Sequence, residues 1–121
     1  MLCLIRRAAP VALLTVALAV PSSAAADPGA VASKSCDVGN SRSYGTTYVV
    51  SIYARNISCT RARGVVRGFH ACRPGKRGRC SRFSGWRCSE YRFNVSRQSY
   101  DSHVRCSKGS RVVKHTYTQF L

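Results

Sequence analysis

The stretch Thr46–Cys72, TTYVVSIYARNISCTRARGVVRGFHAC, sets the architecture of this chain. Thr46 to Tyr53 is β-branched and aromatic, which is strand chemistry. Ser58 then offers its hydroxyl as an N-cap, with Ile57 before it as a staple residue. Cys59, Ala62, Val65, Val66 and Phe69 recur at helical spacing and make one apolar stripe. Arg61, Arg63, Arg67 and His70 take the other side. Gly64 and Gly68 each weaken a helix by about 1 kcal/mol against Ala, unless they allow close packing on a sheet. Pro74 ends the helix by Cys72. A strand followed by a helix with a single apolar face calls for a sheet beneath that face.

The rest of the chain supplies the sheet. Trp86 to Val95 returns to strand chemistry with a slip in parity. Trp86 and Cys88 share one face, whereas Tyr91, Phe93 and Val95 share the other, and a bulge near Ser89 and Glu90 would reconcile them. His103 to Cys106 and Arg111 to Phe120 are two further strands, and Ser107 to Ser110 is a hairpin signal between them. Val38 to Gly45 reads as loop or a ragged edge. The expected fold is α+β, a small disulfide-stapled domain with one helix on a mostly antiparallel sheet of about four strands.

Residues 1–26 read as a secretory signal peptide: Arg6 and Arg7, an apolar run over Val11 to Val20, then Ser22 to Ala26 as small residues before cleavage. The apolar run is too short for a permanent membrane span. Residues 27–35 form a polar tail and residues 36–121 a single secreted domain, extracellular or associated with the cell wall. Cys3 leaves with the signal peptide, so six of the seven cysteines remain: Cys36, Cys59, Cys72, Cys80, Cys88 and Cys106. An even set in a short exported chain implies disulfides. Cys72 and Cys80 close a turn-rich loop and can meet without spanning anything. Cys88 and Cys106 face each other if their strands form a hairpin centred near Arg97. Cys36 to Cys59 would complete the set, but Cys59 to Cys88 or to Cys106 pins helix to sheet equally well.

Without Arg6 and Arg7, 18 Lys and Arg stand against four Asp and Glu, a net charge of +14. Such a field attracts polyanions and weakens with salt. It also keeps a domain soluble with no partner at all. The candidate anion-binding residues are Arg61, Arg63 and Arg67 on the helix, and Arg73, Lys76, Arg77, Arg79 and Arg82 in and after the Cys72–Cys80 loop.

Ile52-x-Ala54-Arg55-Asn56-Ile57-Ser58-Cys59-x-x-Ala62-Arg63, then Gly85-Trp86-x-Cys88, then Val104-x-Cys106-x-x-Gly109-x-Arg111-x-Val113, resembles a group of small secreted cysteine-containing proteins of actinobacteria. The Cys72–Cys80 loop is an addition to that four-cysteine pattern. The resemblance spans about residues 36–120 and implies export and fold. It lends no catalytic residue.

Other chemistry has less support. His70, Cys72, Cys80 and Cys88 could be written as zinc ligands, but they lack the tight C-x2–4-C knuckle, and exported thiols oxidise. Glycoside hydrolysis needs two carboxylates flanking the bond, and with only Glu90 and Asp101 inside the expected core a glycosidase is improbable. Glu90, His103 and His115 beside many Arg are the least implausible catalytic set, that of a small ribonuclease, although each suits an ordinary strand position. Trp86, Tyr91 and Phe93 amid Arg87 and Arg92 suggest a stacking platform for nucleic acid, non-specific in sequence, with Trp86 better placed in the core. Asn56-Ile57-Ser58 and Asn94-Val95-Ser96 are sequons that matter only in a glycosylating host. The leading expectation is a non-enzymatic basic domain that associates with an anionic polymer at the cell envelope. A cationic antimicrobial and a protease inhibitor presenting Lys76 and Arg77 are the alternatives. No motif calls for a cofactor or metal, and a monomer is expected.

Overall fold

The computed structural model describes residues 33–121, together with residues 10, 12 and 16–19. The signal peptide, but for those six positions, and tail residues 27–32 lie outside the described residues. Six strands and one helix follow in the order β1 (Lys34–Cys36), β2 (Tyr48–Arg55), α1 (Cys59–Cys72), β3 (Arg82–Phe83), β4 (Trp86–Phe93), β5 (Ser99–Lys108) and β6 (Arg111–Phe120). They build a six-stranded sheet ordered β1-β2-β6-β5-β4-β3, antiparallel at every pairing. The α+β class therefore holds, but the sheet has six strands, not about four. The two unforeseen strands are three and two residues long, too short to show a period of two. β1 begins at Lys34, which pairs with Ala54, so the sheet starts two residues before Cys36.

The helix follows from its local chemistry. Ser58 is extended and its hydroxyl accepts a hydrogen bond from the Arg61 amide at 3.2 Å. Ala62, Val65, Val66 and Phe69 are buried against the sheet. Gly68 lets the helix close on β3, because a Cβ there would stand 2.6 Å from the Phe83 ring. Gly64 has no such reason, since a Cβ there would meet nothing within 4 Å. The β3–β4 hairpin turns on Ser84 and Gly85, with φ of 46° and 81°, the double positive-φ geometry of the tightest hairpins.

The bulge expected near Ser89 and Glu90 is absent, and β4 pairs with β5 in unbroken register from Arg87↔Ser107 to Phe93↔Asp101. A bulge lies in β2 instead, between Val49 and Ser51. The parity of β4 never slips: Trp86, Cys88, Glu90 and Arg92 all face the helix side, and Tyr91 and Phe93 lie on the open face. The apparent slip arises because Glu90 and Arg92 are polar residues in inward positions.

Three disulfides join Cys36 to Cys59, Cys72 to Cys80 and Cys88 to Cys106. The first ties β1 to the start of α1, the second closes the loop after α1, and the third links directly opposed residues of β4 and β5. Such a set belongs to an oxidising compartment. It also occupies Cys72, Cys80 and Cys88, which removes the thiolates that a zinc site would need. No helix among the described residues is long and apolar enough to cross a membrane.

Candidate anion-binding surfaces

The inward faces of β4, β5 and β6 carry a polar cluster that sequence patterning does not reveal. The Glu90 side chain is 3% exposed and pairs with Arg92 at 3.1 Å. It also accepts hydrogen bonds from the hydroxyls of Ser102 and Tyr117, each at 2.7 Å. Burial pushes its carboxyl up, but these hydrogen bonds together outweigh burial and hold it below the ordinary carboxylate range.

Arg73 belongs to the same interior. Composition places it on the anion-binding surface with its neighbours, yet only 7% of it is exposed. Its guanidinium donates to the carbonyls of Lys76 at 2.6 Å and Gly78 at 3.1 Å. It donates further to the Tyr100 hydroxyl at 2.9 Å, the Gln119 amide oxygen at 3.1 Å and His70 Nδ1 at 3.0 Å. It also stacks over the Tyr117 ring at 4.8 Å. The physical reason is position. Arg73 directly follows the helix, where its fork can satisfy the carbonyls of the disulfide loop and hold that loop to the sheet.

This geometry fixes the histidine protons. Arg73 can only donate, so His70 Nδ1 accepts, and His70 Nε2–H donates to His115 Nε2 at 3.0 Å. The His115 proton then sits on Nδ1, a buried atom without a hydrogen-bond partner among the described residues. Burial, and after it the Arg73 charge, lowers His70 to about 3. Burial also carries His115 well below its ordinary value. Both rings are neutral at pH 7. His115 is buried on the helix side while His103 stands exposed on the opposite face. The Glu90, His103 and His115 set is not brought together.

The remaining predicted cations fall into two groups. Arg61, Arg67, Lys76, Arg77, Arg79 and Arg82 are exposed, and Arg63 is half-buried, donating to the Asp37 carbonyl at 3.0 Å. The 14-residue helix is about 20 Å long, so Arg61 at its start stands well apart from Lys76, Arg77 and Arg79 beyond its end. At the start, Arg61 meets two cations not singled out from sequence, Lys108 and Arg111 of the β5–β6 hairpin. Together they line a groove of about 360 Å³ whose walls include Gly64, Gly68 and Phe83. Lys108 is held there by donating to the Ser84 carbonyl at 3.1 Å. Only the packing of the helix beside that hairpin brings these groups together, and no linear motif marks it.

Of the suggested stacking platform, Trp86 is core at 7% exposure, and Arg92 faces inward over the Tyr100 ring at 4.2 Å. Tyr91 and Phe93 stay outside with Arg87.

The fold and these surfaces define a small disulfide-stapled α+β domain in which, among the described residues, most cations project, Arg73 and Arg92 turn inward, and the one buried carboxylate, Glu90, is internally paired. No protein-family model matches the chain, and neither a curated protein nor a solved structure matches it.

Proposed function

We propose that this protein is a secreted, non-enzymatic module that binds an anionic polymer at the cell envelope. One observation carries the reading. Among the described residues, only Arg79 and Arg92 lie within 4.0 Å of a carboxylate, and both meet the same one, Glu90. Glu90 is turned inward and Asp101 is tied by Thr118 and Asn94, so among the described residues every projecting cation but Arg79 is left without a carboxylate partner. Their division between the groove of Arg61, Lys108 and Arg111 and the loop of Lys76, Arg77 and Arg79 suits a long chain with repeating charge.

Two alternatives fit the geometry less well. A protease inhibitor must present the main chain of its loop, but the Lys76 and Arg77 carbonyls accept bonds from Arg73 and Arg92. A membrane-disrupting peptide needs a free apolar face, whereas the stripe of α1 is buried and bridged at both ends.

Co-sedimentation of the oxidised protein with purified anionic envelope polymer, at about 50 and 200 mM salt, tests the reading over the range in which charge-driven binding falls steeply. Binding at the lower salt, weakened by replacing Arg61, Lys108 and Arg111 with Gln, is the expected result. No binding at either salt, or dye release from anionic vesicles at the same concentration, overturns it.

A further inference from the structure

The face of the sheet turned away from the helix carries a second and chemically different surface. Register lays it out in rows. Phe93, Asp101, Thr118 and Tyr48 form one row, and Tyr91, His103, Thr116 and Ser51 the next. Ser89, Arg105, Lys114 and Tyr53 form the third, with Arg87 and Arg55 in the row beyond. Most of the aromatic rings thus occupy one end and the cations the other, with Tyr53 beside the cations. Small residues at Ser51, Ser89 and Thr116 lie between larger neighbours, which leaves a depression of about 630 Å³. That volume is in the range of ligand sites.

The rings are already organised. Tyr91 and Phe93 are parallel within 11° at 6.3 Å, and Phe93 stacks on His103 at 4.5 Å. Thr116 and His103 Nδ1 are hydrogen-bonded at 2.8 Å, which fixes the imidazole. Tyr91 is 69% exposed at the outer end of this stack and Tyr53 is 45% exposed across the depression. Among the described residues the one carboxylate on the face, Asp101, lies at the aromatic end and accepts bonds from Thr118 and Asn94.

We infer that this open sheet face is a binding site for single-stranded nucleic acid, with bases continuing the stack at Tyr91 and phosphates meeting Arg105 and Lys114. The two halves of the face ask for a ligand that is both planar and anionic. A charged polymer without rings would use Arg87, Arg105 and Lys114 and leave Tyr91 and Phe93 idle. Tyr91 and Phe93 are parallel within 11°, so a planar ring laid on the exposed side of Tyr91 extends an existing stack, which a base does and a puckered sugar does not. Base stacking on aromatic side chains beside cations is tolerant of sequence, so none of the four bases is preferred on these grounds. The site is separate from the groove at Arg61, and it does not depend on the envelope-binding reading.

The test measures fluorescence anisotropy of the oxidised protein with three probes: an oligothymidylate, inorganic polyphosphate of equal phosphate number, and an oligouronate. Tighter binding of oligothymidylate than of polyphosphate is expected, with Tyr91→Ala weakening oligothymidylate alone by about tenfold. Arg105→Gln with Lys114→Gln lowers its salt slope by roughly 0.7 for each phosphate no longer neutralised. Tyr91 is exposed, so an unchanged melting temperature accompanies the loss. Equal binding of the first two probes, insensitive to Tyr91→Ala, overturns the inference in favour of charge alone. Tyr91-dependent binding of the oligouronate without the oligothymidylate overturns it in favour of an acidic sugar. Loss of polyphosphate binding while oligothymidylate still binds would instead strike the charge-based function and leave this site standing.

Discussion

Arg73 and Arg77 lie in the same basic loop, yet the structure gives them opposite roles, and Arg73→Met and Arg77→Gln separate these. Arg73→Met removes the donor shared by the Lys76 and Gly78 carbonyls, Tyr100, Gln119 and His70. Hydrogen bonds to a charged group contribute about 1.5–3 kcal/mol each, but they are not additive, and methionine restores part of the packing. The groups left behind are neutral, and each buried acceptor stripped of its donor costs about 1–3 kcal/mol, so several of them together put the expected loss at about 3–5 kcal/mol. A domain of this size loses about 4–8 °C per kcal/mol, so the melting temperature should fall by at least about 12 °C. Arg77 is exposed and lends the fold only its carbonyl, which accepts from Arg92 and survives the substitution. Arg77→Gln should leave the melting curve in place and lower the salt slope of polyanion binding by about one if the side chain meets a phosphate. Melting by circular dichroism and a salt titration on both variants suffice. An Arg73→Met protein as stable as the wild type but defective in binding would refute the assignment of Arg73 to the interior.

The two helix glycines should behave oppositely: Gly64→Ala raises stability by about 0.5–1 kcal/mol, and Gly68→Ala lowers it because its Cβ meets the Phe83 ring, both read from urea midpoints. Stability should fall as pH drops from about 6.5 towards 3, because the unfolded chain protonates at His70 and His115 while the folded chain, with both values lowered, does not. Glu90 adds its own loss further down, as pH falls through its depressed folded value, and a urea midpoint that stays flat from pH 7 to 5 would contradict the histidine assignment. Reduction of the three bridges, at about 2–4 kcal/mol each, should leave the chain largely unfolded, as loss of native circular dichroism would record.

Local chemistry was legible and distant chemistry was not. Ser58 and Pro74 bracket the helix because capping and chain-breaking act over a few residues. The short loop between Cys72 and Cys80 made that bridge readable, whereas Cys36 to Cys59 needed the β1–β2 pairing that no pattern announces. Arg73 looked like its neighbours Lys76 and Arg77, since the partners that draw it inward, Tyr100 and Gln119, lie 27 and 46 residues away. The alternation of Tyr91 and Phe93 reads as a slip that a bulge would reconcile, although the unbroken register puts both rings on the outer face. That face was obscured because Glu90 and Arg92 occupy interior positions that a pattern of apolar residues assigns to solvent.

The placement of β6 has a kinetic consequence. It lies between β2 and β5, and its partnership with β5 closes through a two-residue turn, whereas its pairing with β2 joins Tyr48 to Thr118. Loop-closure entropy must be met before that seam returns any stabilisation. The β4–β5–β6 meander, with its own Cys88–Cys106 bond, is a local unit able to assemble early. The β2–β6 seam should close late, and with it the cover that α1 gives the sheet. Substitutions in the β4–β5 hairpin would then slow folding, while those at Val49 and Ile52 of the seam would chiefly speed unfolding.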